Sequence, residues 1–312
     1  MQEKRVIKLR EGIVRTLIYF DLFKYPLNFE EILNYAPIAP INEDDLISEL
    51  ELMGKSGEIH SDGNFYSIRP LSSLADRRIK GNNVAEKTMP KAYRMSRKIA
   101  GFPFVRSVML SGSISKGYMA DDGDVDFFVL TEPGRLWLAR TFLMLYKKLF
   151  LLNSHKYFCV NYLITTDQLE IPDKNLFTAT EVVTLIPTYR ADLYEQFQAA
   201  NKWAREFYPA YTIQPTNGAI LIEDGSIKNR LEKILNGKIG DKIESKCLKL
   251  TLKFWKRKFK HFDPETFELA LRSNNSTSKH HPRNFQKNVM DSYNERCEEY
   301  AHLFEKKKDT VS

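Results

Sequence analysis

The chain has 312 residues, about twice the usual length of one domain, and its 43% hydrophobic and 28% charged residues are ordinary for a folded protein. Thirteen prolines and 14 glycines exclude collagen-like and low-complexity classes, and three widely separated cysteines exclude a disulfide framework. The net charge of +7 is compatible with a polyanionic partner but does not identify one.

Two observations predict a cytoplasmic protein without a membrane segment. Residues 1–8 lack the apolar run of a secretory signal. The most apolar stretch, residues 136–153, carries Arg140, Lys147 and Lys148, which makes it too polar to span a bilayer. We therefore expect a buried helix there.

Residues 1–70 are predicted to form a winged-helix-like domain of three helices and a hairpin. Apolar residues recur at helical spacing, and the second helix should start at Asn28 and the third at Asn42 or Asp44, because these side chains cap helices well. The turn of the hairpin is predicted at residues 61–63.

The predicted third helix argues against specific DNA binding. In a winged helix this element would enter the DNA groove, but here it carries four carboxylates, on Asp44, Asp45, Glu49 and Glu51. These charges would repel phosphates rather than neutralise them. A structural or substrate-positioning role is the alternative that we favour.

Residues 71–200 are predicted to form an α/β core, a small mixed sheet with helices. The expected elements are a basic helix at 71–100, strands at 105–110 and 125–131, a long helix at 133–152 and a strand at 157–165. Residues 201–305 are predicted to form a helical C-terminal domain that contains a polar loop at 273–281. Residues 306–312 are predicted to be a disordered tail.

The segment between the first two predicted strands is the most informative. An apolar strand ends at Gly112-Ser113, and after ten further residues Asp124-Val-Asp126 opens the next strand. Alternate residues of a strand share a face, so Asp124 and Asp126 should point the same way. Two adjacent carboxylates repel unless a cation lies between them, and such oxygen ligands favour Mg²⁺ or Mn²⁺.

The residues before this pair are suited to phosphate. Gly112 has no side chain to block an approach to the backbone, and Ser113 adds a hydroxyl beside the free N–H groups of a helix start. Lys116 follows in the first turn and can reach a phosphate oxygen. Together with the carboxylates, these residues predict a site for a nucleoside triphosphate.

This pattern resembles the nucleotidyltransferase superfamily of the DNA polymerase β type, whose mark is Gly-Ser, about ten residues and then Asp-x-Asp. The resemblance implies Mg²⁺-dependent transfer of a nucleoside monophosphate from an NTP to an acceptor hydroxyl, with Asp124 and Asp126 as catalytic metal ligands. Small molecules, RNA such as tRNA ends, and protein hydroxyls would all suit this architecture as acceptors, so the sequence does not name the acceptor. Further segments, including residues 19–27 and 135–140, resemble segments of uncharacterised bacterial proteins in which a winged helix is joined to such a domain.

One position departs from the superfamily pattern. A third carboxylate usually lies on the next strand, where it deprotonates the acceptor hydroxyl and helps to hold a metal, but the matching residue here is Asn161. An amide cannot serve as a base at neutral pH. Asp167 or Glu181 could substitute, the hydroxyl could lose its proton to water, or turnover could be weak or absent. The sequence leaves these alternatives open.

The sequence is therefore compatible with three functions. The first is the nucleotidyltransferase itself. The second is a catalytically weak or inactive protein of the same fold that binds NTP or RNA, which Asn161 favours. The third is a winged-helix regulator with a nucleotide-sensing domain, which the acidic third helix disfavours.

Overall fold

The computed structural model describes residues 2–39, 41–154, 156–220, 225–281 and 284–308. It is a mixed α/β structure with one five-stranded sheet and a two-stranded hairpin near the N-terminus. The predicted mixed α/β class is confirmed. Within the described ranges, no helix combines the length and the apolar character that a membrane crossing would need.

The helices of the described residues are, in chain order, α1 (Gln2–Asp21), α2 (Phe29–Tyr35), α3 (Glu43–Lys55), α4 (Leu74–Ala100), α5 (Leu136–Phe150), α6 (Leu176–Thr184), α7 (Ala191–Ala200), α8 (Ala204–Phe207), α9 (Ser226–Leu235), α10 (Lys238–Lys258), α11 (Pro264–Leu271) and α12 (Phe285–Lys308). The strands are β1 (His60–Ser61), β2 (Tyr66–Ser67), β3 (Val105–Ser111), β4 (Asp126–Thr131), β5 (Cys159–Thr165), β6 (Ile186–Tyr189) and β7 (Thr277–Lys279).

The large sheet has the strand order β6-β3-β4-β5-β7. Strand β4 is antiparallel to β3 and parallel to β5, and both outer strands are antiparallel to their neighbours. Ser111 pairs with Asp126, and Asp126 pairs with Cys159. The end of β3 and the starts of β4 and β5 therefore lie side by side, at one end of the strands; below, this row of strand ends is called one edge of the sheet.

Both faces of the sheet are buried. On β3, Met109 belongs to one hydrophobic cluster, while Val108 and Leu110 belong to a second cluster on the opposite face. Helices α1, α2, α3 and α6 contribute to the first cluster, and α4 and α5 contribute to the second. Burial on both faces explains why residues 108–110 of β3 and 127–130 of β4 are uninterrupted apolar runs in the sequence.

The three predicted N-terminal helices and the hairpin are confirmed, but the hairpin loop spans residues 62–65 and not 61–63, because Ser61 pairs with Tyr66. Asn28 caps α2, and its side chain and that of Glu31 form a reciprocal capping box. Asn42 caps α3 by accepting from two backbone N–H groups. On α3, Glu49 is buried and forms an ion pair with Arg10, so one of the four carboxylates faces inward.

Residues 1–70, called the N-terminal unit below, are joined to the rest of the chain by an ion pair around a buried arginine. Arg78 on α4 donates to Glu31 at 2.7 and 3.0 Å and to the Pro26 carbonyl at 2.6 Å, and its guanidinium lies 3.8 Å from the Tyr25 ring centroid. Arg78 is only 2% exposed. Removing one partner of such a pair would leave the other charge without compensation.

The two outer strands of the sheet depart from the sequence prediction. Strand β6 contains Pro187, which an edge strand tolerates because the missing N–H faces no neighbour. Strand β7 lies within the predicted polar loop at 273–281, so that prediction was wrong. Its three residues are polar yet buried because they pair with β5.

The C-terminal part of the chain is mainly helical, as predicted, but β7 gives it a strand in the sheet of the core. Helix α12 continues to Lys308. The last four residues of the predicted tail, 309–312, lie outside the described residues.

Candidate functional site

The predicted Gly-Ser turn lies directly beside the first residue of β4. Gly112 follows β3 with a φ of +68°, and a Cβ at this position would lie 2.5 Å from Oδ2 of Asp126. Both the backbone conformation and the lack of space therefore require glycine. Ser113 is exposed at the start of a short turn, Ile114–Lys116. The structure thus brings Gly112, Ser113 and Asp126 together.

Asp126 carries the most strongly perturbed carboxyl of the site. Burial raises its pKa to about 7, and the negative charges of Glu181 and Asp124 act in the same direction. The nearby Lys116 ammonium and a hydrogen bond with Cys159 oppose the shift. Without a cation, the folded protein therefore favours the protonated form of Asp126 far more than an exposed aspartate would.

Asp124 is partly buried and lies two residues before Asp126. Val125 between them is fully buried, as expected if the two carboxylates lie on the other side of the strand. The electrostatic effect of Asp124 on Asp126 indicates that the two charges are close enough to interact.

Asn161 lies next to Asp126, as predicted. Strand β5 has an irregularity here: Val160 pairs with Phe127 and Tyr162 pairs with Phe128, so Asn161 is the extra residue of a bulge. Its Nδ2 donates to Oδ1 of Asp126 at 3.0 Å. The amide therefore holds the carboxylate in place.

Glu181, on α6, provides a third carboxylate at this site. It accepts from the Gly112 backbone N–H at 3.2 Å and from Lys116 Nζ at 2.8 Å. Both of these donors are groups that the sequence assigned to phosphate. Asp167 lies beyond the last residue of β5, at the opposite edge of the sheet from Asp126, and is exposed. Of the two substitutes considered, only Glu181 is near the pair.

Tyr25, from the N-terminal unit, also reaches the site. Its hydroxyl lies 2.7 Å from the Lys116 carbonyl oxygen and 2.8 Å from the Glu31 carboxylate. Sequence analysis did not predict this contact, and no motif marks it, because 91 residues separate the two contacting positions. The contact fixes the Gly-Ser turn against the N-terminal unit.

A cavity of about 590 Å³ opens beside these residues. At its polar end lie the turn and the side chains of Lys116, Asp126, Asn161 and Glu181. Most of the remaining wall is aromatic or aliphatic and is contributed by all three parts of the chain. Its volume lies within the range of small-molecule sites.

The residues present fit a divalent cation by their charge balance. Burial and the neighbouring carboxylates make ionised Asp126 costly, and a cation between Asp124 and Asp126 would remove that cost. Both groups are the hard oxygen ligands that Mg²⁺ prefers. Among the described residues, no three acidic, histidine or cysteine side chains are arranged as a metal cluster.

No protein-family model matches the chain, and neither a curated protein nor a solved structure matches it.

Proposed function

We propose that the protein transfers a nucleoside monophosphate from an NTP to an acceptor hydroxyl in an Mg²⁺-dependent reaction. The observation that carries this proposal is the contact between the turn and the carboxylate. Gly112 has a left-handed backbone and no room for a side chain, because Asp126 lies against it. A phosphate-binding turn and a metal-binding carboxylate would need this proximity to act on one triphosphate.

In the proposed reaction Asp124 and Asp126 would hold the cation, which would neutralise charge on the triphosphate. The Gly112 N–H, the Ser113 hydroxyl and Lys116 bind phosphate oxygens. Because Glu181 accepts from two of these three groups, its carboxylate has to release them when the triphosphate binds.

We also propose that the Glu181 carboxylate is the base that accepts the proton of the acceptor hydroxyl. Asn161 donates its amide to Asp126 and offers no basic group. Asp167 lies at the far edge of the sheet. Once displaced from Lys116, the Glu181 carboxylate remains beside the carboxylate pair and is free to accept a proton.

The binding-only alternative rests on the same contacts. In the structure Glu181 occupies the phosphate donors, and an amide stands where the superfamily usually has its third carboxylate. A protein that held NTP in this way without turnover would lack any active base.

The two functions are separated by incubating the protein with α-labelled NTPs and Mg²⁺, with and without bulk RNA, and following label into larger or less polar products. Transfer that is lost in Asp124→Ala and in Glu181→Gln supports the enzyme. Mg²⁺-dependent NTP binding without transfer supports the binding-only protein. Failure to bind NTP would refute both.

The Asn161→Asp variant adds a third test. An acid here would lie beside the proposed metal pair, so metal affinity should rise. If the wild type lacks a well-placed base, turnover should rise as well, by at most the factor of about 10²–10⁴ that general-base catalysis contributes. Unchanged metal affinity and rate would show that Asn161 does not belong to the working site.

A further inference from the structure

The wall of the cavity is far more apolar than a site for nucleic acid would be. Eleven of its 33 lining residues are phenylalanine or tyrosine, and most of the others are aliphatic or small. Phe128 is central, with ring centroids 5.1 Å from those of Tyr162 and Phe197. Such a wall gains free energy by removing apolar surface from water and offers little to a sugar-phosphate chain.

The two lysines of the lining are already paired. They are Lys116, which contacts Glu181, and Lys279, which contacts Asp173 at 3.0 Å and Gln286 at 2.9 Å. With Asp126 the lining holds three acidic residues against these two lysines. A polynucleotide would gain no net attraction from these side chains, whereas the triphosphate of the proposed function would rely on the cation at Asp124 and Asp126.

A neutral imidazole completes the wall at the C-terminal side. Burial and the nearby Lys279 charge lower the pKa of His281 to about 4, so this side chain carries no charge at neutral pH. His281 lies 6.3 Å from the Tyr162 ring, between centroids. The cavity therefore presents an apolar body with polar groups that are neutral or compensated.

The wall of the cavity is built by residues from three regions of the chain. Phe23, from the turn after α1, and Phe177, from α6, each place a ring about 6 Å from that of Phe285 on α12, at 6.0 and 5.9 Å between centroids. An occupant would contact the N-terminal unit, the core and the C-terminal helix. A small molecule can be held in this way, but a folded RNA cannot.

We propose that the acceptor is a small neutral molecule with an apolar body and a hydroxyl group, bound in this cavity with the hydroxyl at the Asp126–Glu181 end. This inference rests on the proposed function for the transfer, but the cavity predicts the binding by itself. In the transfer, the acceptor oxygen forms a bond to the α-phosphorus of the NTP, pyrophosphate leaves, and the hydroxyl proton passes to Glu181.

The binding is tested with N-phenyl-1-naphthylamine, a neutral apolar fluorophore, and its displacement by primary alcohols. From 1-hexanol to 1-decanol the affinity should rise about fourfold per added methylene, the factor expected when each methylene leaves water. Decanoate should bind more weakly than 1-decanol, because the lining has a formal excess of acidic groups. Affinity independent of chain length, or equal for decanoate, would overturn the proposal.

A matched pair of variants locates the binding. Ala120 is partly buried and lines the cavity, so Ala120→Leu should reduce its volume and weaken 1-decanol at least tenfold. Ala199 is exposed on α7 and away from the lining, so Ala199→Leu should bind like the wild type. Equal affinities in both variants would place the alcohol elsewhere and overturn the proposal. The chain-length series in the wild type does not depend on either variant folding.

A transfer assay separates this inference from the proposed function. With α-labelled NTP and Mg²⁺, label should pass into the organic-soluble fraction when 1-decanol is present and should not enter RNA. Label in RNA alone would overturn the apolar acceptor and leave the nucleotidyltransferase intact. Alcohol binding without any transfer would refute the proposed enzyme while the cavity remained a site for apolar alcohols.

Discussion

Replacing Asp126 by asparagine should stabilise the metal-free protein at neutral and alkaline pH. The carboxyl has a pKa of about 7 in the folded protein, against an ordinary value of 3.8. The folded state thus binds this proton more tightly than the unfolded chain does. Its stabilising effect is complete below about pH 4 and is lost as the pH rises through 7.

The size of the effect follows from the same two values. A difference of about three pH units corresponds to about 4 kcal/mol, which the wild type should lose between about pH 4 and 8. The asparagine side chain would keep the Oδ1 that accepts from Asn161 and would remove the charge that is opposed by Glu181 and Asp124. In Asp126→Asn the gain should therefore approach 4 kcal/mol at pH 8 and vanish near pH 4.

The assay is urea unfolding in the presence of EDTA across pH 4–8. Asp167→Asn is the control, because Asp167 is exposed at the far edge of the sheet, and it should change the free energy of unfolding by no more than about 0.5 kcal/mol. Excess Mg²⁺ at pH 8 should stabilise the wild type and narrow its gap to Asp126→Asn. A variant that is less stable at pH 8, or a difference that does not depend on pH, would refute the reasoning.

Two further substitutions test the packing around the site. Gly112→Ala should lower the free energy of unfolding by about 1–3 kcal/mol and displace Asp126. Gly117→Ala is the control, because Gly117 has the same φ of +68° but nothing within 4 Å of an added Cβ, so it should lose only the part due to backbone strain. Equal losses of both variants in chemical denaturation would show that the contact with Asp126 is unimportant. Arg78→Ala should lower the free energy of unfolding by about 3–5 kcal/mol, because it leaves the partly buried Glu31 without its partner. Arg78→Lys keeps a positive charge and should lower it less. Equal thermal stability of the two variants would contradict a role for the paired charge.

The elements around the Gly-Ser turn could be predicted because their signals are local. Strands β3 and β4 contain the apolar runs 108–110 and 127–130, and the caps Asn28 and Asn42 mark the starts of two helices. The closeness of Asp126 and Asn161 also followed from neighbouring strands. Each of these inferences needed only a short stretch of sequence or one strand pairing.

The remaining features depend on contacts between distant residues. Strand β7 is three polar residues that become a strand only because β5 offers an unpaired edge. Glu181 lies 69 residues from Gly112, and its helical environment is equally compatible with a surface position. The cavity is invisible in the sequence because its walls come from three separate regions. Local patterns carry no record of such tertiary packing.

The most direct test of the central claim is calorimetric titration of a non-hydrolysable NTP into the protein, with Mg²⁺ and with EDTA. We expect binding that requires Mg²⁺, that is abolished in Asp124→Ala and Asp126→Ala, and that is weakened more for the triphosphate than for the nucleoside in Lys116→Ala. Wild-type affinity in both aspartate variants, or equal binding in EDTA, would contradict a metal-assisted nucleotide site at this edge of the sheet.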